Sequence, residues 1–546
     1  MGVRRARAAI VVAAFMACTL LTTTLAAAGT AGRPGGHTGS NRRCHAGASG
    51  VGDDYYPVYG NGGYDVAHYL LKVSYEPATN RLVGVATIFA RATENLCSFN
   101  LDFQGMTVRS VVVDGKRAAW SRSQDHELTV TPGHALKKGR RFTTVVRYDG
   151  VPRTQQIILG PDFSIEAGFM HTDDGAVIAG EPEVAANWFP VNDHPIDKAS
   201  YTFVVTVPAG LEVVGNGRLV AHTTHGRSTT WIWNAPEPMA SYLATATMGQ
   251  FDLHTYRTAS GLRMYDAIDP DLFKEQVDPD DPASPTFGEI AEGSLARQGE
   301  ILDFLSQQFG APYPFSTGGG IVDDYDNLLF ALENQTRTVY SKFFFTDSIS
   351  GDSVVVHENA HQWFGDSVAL AKWKHVWLNE GFATYAEWLW SQHEDLGTTQ
   401  EIFDALYNGI PADDPLWQVV IGDPTVTFLF DNAVYLRGAM TLQVLRNQVG
   451  DRDFFRILRA WARTKAGGNG TTDQFIALAE RISGQQLDDL FRTWLFTAGK
   501  PALDAVGATQ ATARVAATAS GGAARIPPAA AMLLERVSKG ALPLRR

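Results

Sequence analysis

Between residues 64 and 265 apolar and polar positions alternate with a period of two. The clearest runs are 67–75 and 83–89, with the turn-rich Glu76-Pro77-Ala78-Thr79-Asn80 between them. Similar runs recur at 108–113, 141–148, 201–207 and 229–233, many separated by Gly, Pro or Asn. Successive side chains of a strand point to opposite faces, so this pattern predicts half-buried antiparallel strands throughout. Beyond Asp266 the period lengthens. Leu295, Ile301, Leu302 and Leu305 recur at helical spacing, and helical patterns follow at 353–365, 379–393, 401–408, 433–449, 452–465 and 472–497. An all-β region over 62–265 and a mainly helical one over 266–503 are therefore expected.

The two ends differ from this body. Arg4, Arg5 and Arg7 precede an apolar run at 8–25 and the small residues Ala26-Ala27-Ala28. That order predicts an export signal over 1–28; an uncleaved anchor helix is the alternative, since about 20 apolar residues span a bilayer. Residues 29–61 open on a Gly-, Ser- and Arg-rich stretch and are expected to form a flexible arm. Residues 504–546 are Ala/Gly-rich, carry Pro527-Pro528 and show no core pattern, so a mostly disordered tail is expected, with Met532-Leu533-Leu534 able to start a short helix. Loss of the signal would leave two of the three cysteines, Cys44 and Cys97, either as one disulfide of an exported protein or as free thiols. No other segment has the length and apolarity of a membrane span, so no stable insertion is expected once the signal is removed.

At 546 residues the chain exceeds one ordinary domain core, and 45% apolar with 19% charged residues is globular composition. Residues 1–52 hold six Arg and no acid, and 505–546 hold five Arg, one Lys and one Glu. The body between them keeps 34 basic and 57 acidic residues, a net charge of -23. That balance argues against a nucleic-acid partner, which wants a basic face, and leaves a cationic substrate open.

One stretch carries chemistry. His357-Glu358-Asn359-Ala360-His361 lies in an apolar helical context. Residues four apart share a helix face, so both imidazoles can reach one metal ion, and Glu358 can hold a water rather than the metal. Two histidines leave zinc short of its usual third protein ligand. Glu380, in Trp377-Leu378-Asn379-Glu380-Gly381-Phe382-Ala383, opens the next helical pattern nineteen residues after His361 and can complete a His/His/Glu site. Glu387, on the same face as Glu380, is either support for a ligand or a surface charge.

These segments resemble the gluzincin metallo-aminopeptidases, the aminopeptidase N and leukotriene hydrolase family, over about residues 62–503. Tyr313-Pro314-Phe315 belongs to the resemblance, as does Phe330-Ala331-Leu332-Glu333-Asn334, which matches the family's Gly-Ala-Met-Glu-Asn loop. Ala433-Val434-Tyr435-Leu436-Arg437-Gly438 fits its catalytic-Tyr segment with Arg for Lys. Ala179-Gly180-Glu181-Pro182, leading into Trp188-Phe189-Pro190, fits its Gln-x-Glu-Pro segment with Ala179 for Gln. The resemblance implies a saddle-like antiparallel β domain followed by a mainly helical, thermolysin-like catalytic domain, with one Zn2+ per chain on His357, His361 and Glu380. It implies Glu358 and Tyr435 as catalytic groups, Glu358 being general base toward the metal-activated water. It further implies Glu181, Glu333, Ala331, Leu332 and Asn334 as substrate-binding residues, the two Glu receiving the free N-terminal amine of a peptide. The expected activity is that of a secreted or extracytoplasmic zinc aminopeptidase. A family zinc hydrolase acting on a non-peptide substrate, an endopeptidase and an inactive peptide-binding protein are the alternatives. The sequence leaves the oligomeric state open, and a monomer is compatible with it.

Overall fold

The computed structural model describes residues 44–160, 163–503 and 526–538. The expected export signal, residues 29–43 of the expected arm, and tail residues 504–525 and 539–546 lie outside the described residues.

The period-two stretch forms three sheets. The largest has eight strands, in spatial order Arg218–His225, Ser228–Met239, Ala199–Pro208, Tyr64–Glu76, Arg81–Ala92, Arg141–Gly150, Thr107–Val113 and Lys116–Arg117. Along Tyr64–Glu76 the buried residues are Tyr64 and Val66, then Tyr69, Leu71, Val73 and Tyr75. The switch from even to odd positions coincides with a bulge between Val66 and His68, since one extra residue sends every later side chain to the other face. A five-stranded sheet contains Phe163–His171 beside Ala176–Ala179, whose four residues are all buried. The chain leaves that last strand directly into Glu181.

The third sheet corrects the expectation of a flexible arm over 29–61. His45–Ala46 pairs in parallel with Leu96–Asp102, and Cys44 is disulfide-bonded to Cys97, with their Cα atoms 5.1 Å apart. Asp53 is buried and accepts from Tyr55 N at 2.8 Å, from Tyr56 N at 3.1 Å and from Trp373 N of the following domain at 2.8 Å. A covalent tie and one fully used carboxylate order residues 44–61 despite their Gly-rich composition.

The second domain opens on strands, not helices. Asp252–Arg257 pairs with Arg263–Ile268, which continues through Gly320–Asp323 to Thr338–Ser341. The domain boundary therefore falls near residue 250 rather than 265. The helices are α1 (Phe287–Ala296), α2 (Gln298–Phe309), α3 (Ser348–His361), α4 (Trp377–His393), α5 (Thr399–Gly409), α6 (Asn432–Val449), α7 (Asp451–Thr464), α8 (Thr472–Ser483), α9 (Asp488–Phe496) and α10 (Pro528–Ser538). The single pattern expected at 472–497 is two helices, because Gly484 takes a left-handed conformation (φ 71°) and ends α8. Helix α10 corrects the expectation of disorder for its part of the tail. It begins four residues before Met532 and packs on α5, with Ala530 and Leu533 buried.

Several hydrogen bonds hold the β domain against the second domain. Lys198 Nζ donates to the carbonyls of Asp366 (2.6 Å) and Ser367 (3.1 Å), and Asn216 Nδ2 donates to that of Gln335 (2.8 Å). The buried guanidinium of Arg337 donates to the carbonyls of Gly215, Gly217, Tyr265 and Gly318, at 2.7 to 3.1 Å. The segment 331–337, which carries Glu333, is thereby fixed to both domains.

Candidate metal centre and substrate cleft

Helix α3 is capped by Asp347, which accepts from Ser350 N, and is anchored by the buried Val354, Val355 and Val356. One turn separates His357 from His361, and their ring centroids are 4.8 Å apart. Helix α4 lies along α3 and delivers Glu380 from its first turn. Glu380 Oε2 is 3.3 Å from His357 Nε2 and 3.3 Å from His361 Nε2. Ligand atoms about 2.0–2.2 Å from one tetrahedral ion lie about 3.3–3.6 Å from each other, so this donor set fits zinc in spacing as well as in kind.

The outer sides of both rings are also fixed. His357 Nδ1 is 2.7 Å from Glu387 Oε1, and His361 Nδ1 is 3.1 Å from the Phe364 carbonyl. Acceptors at both Nδ1 atoms leave both Nε2 lone pairs for a metal, and such partners orient ligand histidines. Glu387, left open between ligand support and a surface charge, thus meets His357 and is not free on the helix surface. Burial alone would raise the Glu380 carboxyl, but His361 and His357 outweigh it and hold it at about 2, so the group is ionised.

Glu358 reaches toward the opposite side of the site. Its Oε2 is buried with no hydrogen-bond partner among the described residues, and burial pushes its carboxyl up to about 8 against the pull of the two histidines. Tyr435 stands in the first turn of α6, set by Asp431, which caps that helix by accepting from Ala433 N at 2.8 Å. Its ring lies near His357, at a centroid distance of 6.0 Å and an interplanar angle of 24°. Burial raises its hydroxyl well above the ordinary tyrosine range, so it remains a donor. Arg437 does not enter the site. It is buried and donates to the carbonyls of Trp417 (3.1 Å), Val419 (3.1 Å), Thr493 (3.0 Å) and Thr497 (2.5 Å).

Glu181 and Glu333 meet in the same cleft, one from each domain. Glu333 is 2% exposed and its Oε1 accepts from Tyr242 at 2.9 Å. Glu181 Oε2 is buried and finds no partner among the described residues. Burial raises both carboxyls, and for Glu181 the neighbouring Glu333, Glu380 and Glu358 add to it. Two adjacent buried carboxylates are a site for a cation.

The extended segment at 331–334 alternates. Ala331 and Glu333 line the cleft. Leu332 is bridged to Val339 (N···O 2.8 and 2.9 Å), and Asn334 Nδ2 donates to the Leu243 carbonyl at 3.0 Å. The Leu332 backbone and the Asn334 side chain, both expected as substrate-binding, thus hold the segment in place beside the cleft. Sequence reasoning missed Tyr242 and Gln362, whose Nε2 donates to the Glu333 carbonyl at 3.1 Å and whose Oε1 accepts from Thr336 N at 2.8 Å. Gln362 had a signal, its place directly after His361; Tyr242, in the other domain, had none. The apolar Phe344, Val354, Leu436 and Leu533 complete the cleft.

Residues 294–494 match the peptidase family M1 domain, and residues 65–243 match the peptidase M1 N-terminal domain. Aminopeptidase M1-B of Oryza sativa subsp. japonica is 28% identical over 353 residues, covering 60% of this chain and 38% of that protein. Aminopeptidase N of Streptomyces lividans is 27% identical over 356 residues, covering 60% and 39%. The M1 zinc metallopeptidase of Deinococcus radiodurans superposes with a TM-score of 0.71 at 28% identity, covering 84% of this chain and 98% of that one. The chain spans less than two fifths of the length of these two curated relatives, while the two-domain architecture agrees with that of the solved structure. Sheets, helices, donor set and matched domains together place it: the chain belongs to peptidase family M1.

Proposed function

We propose that this protein is a zinc aminopeptidase that hydrolyses the first peptide bond of peptides with a free N-terminal amine. One observation carries the proposal: Glu333, which is buried, and Glu181, whose Oε2 is buried, stand in the cleft that also holds His357, His361 and Glu380. An endopeptidase has no use for two buried carboxylates beside its metal, whereas a substrate ammonium pairs with both. Relatives named aminopeptidases support the same reading.

His357, His361 and Glu380 would hold one zinc ion per chain. Zinc bound there supplies Lewis acidity, polarising a carbonyl and making a water easier to deprotonate. Glu358 takes the proton of the attacking water and returns it to the leaving amine, a role for which its buried Oε2, without a hydrogen-bond partner among the described residues, is placed. Tyr435 donates a hydrogen bond to the oxygen that gains charge, a contribution of about 2.7–4 kcal/mol for donors of this kind. Glu181 and Glu333 fix the ammonium, so that the first peptide bond is the one presented. The apolar run at 8–25 and the Cys44–Cys97 disulfide support a secreted or extracytoplasmic location.

An amino-acid arylamide and its N-acetylated form test the proposal. Cleavage of the free amine alone, abolished by a chelator, is the expected result. Equal cleavage of both would overturn it.

A further inference from the structure

The cleft is closed on one side by a segment outside the residues that match the family. Leu533, on α10, is 5% exposed and lines the cleft together with Phe344, Val354 and the metal-site residues. Helix α10 is anchored beyond the cleft on both flanks. Leu534 and Pro527 pack on Gly409 and Gly397, where an added Cβ would come within 2.8 and 2.5 Å of them. Ser350 Oγ, in the first turn of α3, is 3.6 Å from the Met532 sulfur.

Helix α3 serves as a ruler for what this means. Glu333 lies at its C-terminal end, grouped with His361 and bonded through its carbonyl to Gln362. Helix α10 lies at the other end, beside Ser350 and Val354. Val354 and His361 are seven residues apart, about 10 Å along the axis. A peptide held by its ammonium at Glu333 therefore passes the metal-binding residues and runs toward Leu533. At about 3.3–3.6 Å per extended residue that span holds about three residues, so the chain meets Leu533 within the first two residues beyond the scissile bond.

The geometry points to α10 as the end wall of the cleft and to Leu533, with Phe344 and Val354, as the apolar seat for the residue that follows the scissile bond. The substrate class is then short peptides, di- and tripeptides above all, with an apolar second residue. This rests on the aminopeptidase reading, which supplies the direction of the bound chain.

The test uses the full chain, Leu533→Ala and a chain ending at Leu503, each checked for an unchanged thermal transition. Substrates are an alanine arylamide, the dipeptides Ala-Leu and Ala-Trp, and a ten-residue peptide beginning Ala-Leu. The full chain should favour Ala-Leu over the ten-residue peptide by about tenfold or more in kcat/KM, and the shortened chain should bring the two within about threefold. Leu533→Ala should raise Ala-Trp relative to Ala-Leu about tenfold, because the seat gains room. Unchanged ratios in both variants would overturn the proposal. A readout without turnover is the rate at which 1,10-phenanthroline extracts zinc from the loaded protein. It should rise several-fold in both variants, and equal rates in all three proteins would likewise overturn the proposal. If the full chain leaves the arylamide intact, the aminopeptidase reading fails, while the extraction rates still decide whether α10 closes the cleft.

Discussion

At the scale of single residues, four carboxylates within one cleft have different environments, and the environments assign their work. Glu380 is ionised by two imidazoles, Glu333 is held by Tyr242, and Glu358 Oε2 and, from the other domain, Glu181 Oε2 find no partner among the described residues. Glu358→Gln keeps the shape and removes the base, so arylamide turnover should fall by about 10²–10⁴-fold while zinc content stays near that of the native protein. Loss of the metal instead would make Glu358 a ligand. Glu387→Ala removes the acceptor at His357 Nδ1, and a competing chelator should report zinc affinity lowered about 10–100-fold. An unchanged affinity would return Glu387 to the helix surface. The spacing of His357, His361 and Glu380 made the donor set legible in the sequence, because ligands on one helix face leave a local signature. Glu387 was not decidable there, since only the packing of α4 on α3 determines whether a residue on that face meets His357 or water. The loop at 331–334 was only partly legible for a similar reason: a matched loop names its residues without saying which of them alternate toward the cleft, as Ala331 and Glu333 do.

At the scale of elements, the site depends on how closely two helices approach. An added Cβ at Gly438 of α6 would sit 2.8 Å from the Gly381 Cα of α4, and one at Gly381 would sit 2.9 Å from the Gly438 backbone. Gly381 follows Glu380, and Gly438 lies three residues after Tyr435, so this contact sets the separation of Glu380 from Tyr435. Gly438→Ala must push the helices apart. The expected outcome is a stability loss of about 1–3 kcal/mol in urea unfolding, accompanied by a fall in kcat. Gly293→Ala is the control: at this exposed position of α1 the added Cβ meets nothing within 4 Å, so it should be neutral or slightly stabilising. An unchanged urea midpoint for Gly438→Ala would show that the crossing yields without strain. Most strands and helices were legible from period alone, because each buries one face of a regular repeat. The exceptions bury little or end abruptly. Helix α10 is anchored by a few buried side chains in an Ala-rich stretch, Gly484 divides a continuous apolar pattern, and residues 44–61 are ordered by one disulfide and one buried Asp53.

At the scale of the molecule, the body's net charge of -23 is not all on the surface. Besides the cleft, the β domain buries Glu127, Asp193 and Asp197 and half-buries Glu183, and desolvation raises the four carboxyls to about 7, 6, 7 and 7 respectively. Glu127 faces Asp102 directly across the antiparallel pair of Leu96–Asp102 and Glu127–Thr131, and neither Glu127 oxygen has a hydrogen-bond partner among the described residues. The sign follows from proton uptake. A carboxyl whose pKa is higher folded than unfolded binds its proton more tightly in the native state. Its contribution to stability is complete below the unfolded value, near 4.5 for Glu127, and is lost as pH rises through about 7. Asp53 works in the opposite sense: its carboxyl lies below the usual range because His194 and the N–H groups of Trp373, Tyr55 and Tyr56 outweigh burial, so its contribution disappears only in acid. The metal-free protein should therefore be most stable in mild acid and lose stability between pH 5 and 8. Glutamine mimics the protonated carboxyl, so Glu127→Gln should match the native chain at pH 4.5 and exceed it by about 2 kcal/mol at pH 8. Urea midpoints of both metal-free proteins across that range decide the matter, because zinc binding, itself stronger as pH rises, is absent from both. A difference that stays constant with pH would mean that Glu127 is ionised in the native fold and that some group other than a proton balances its charge.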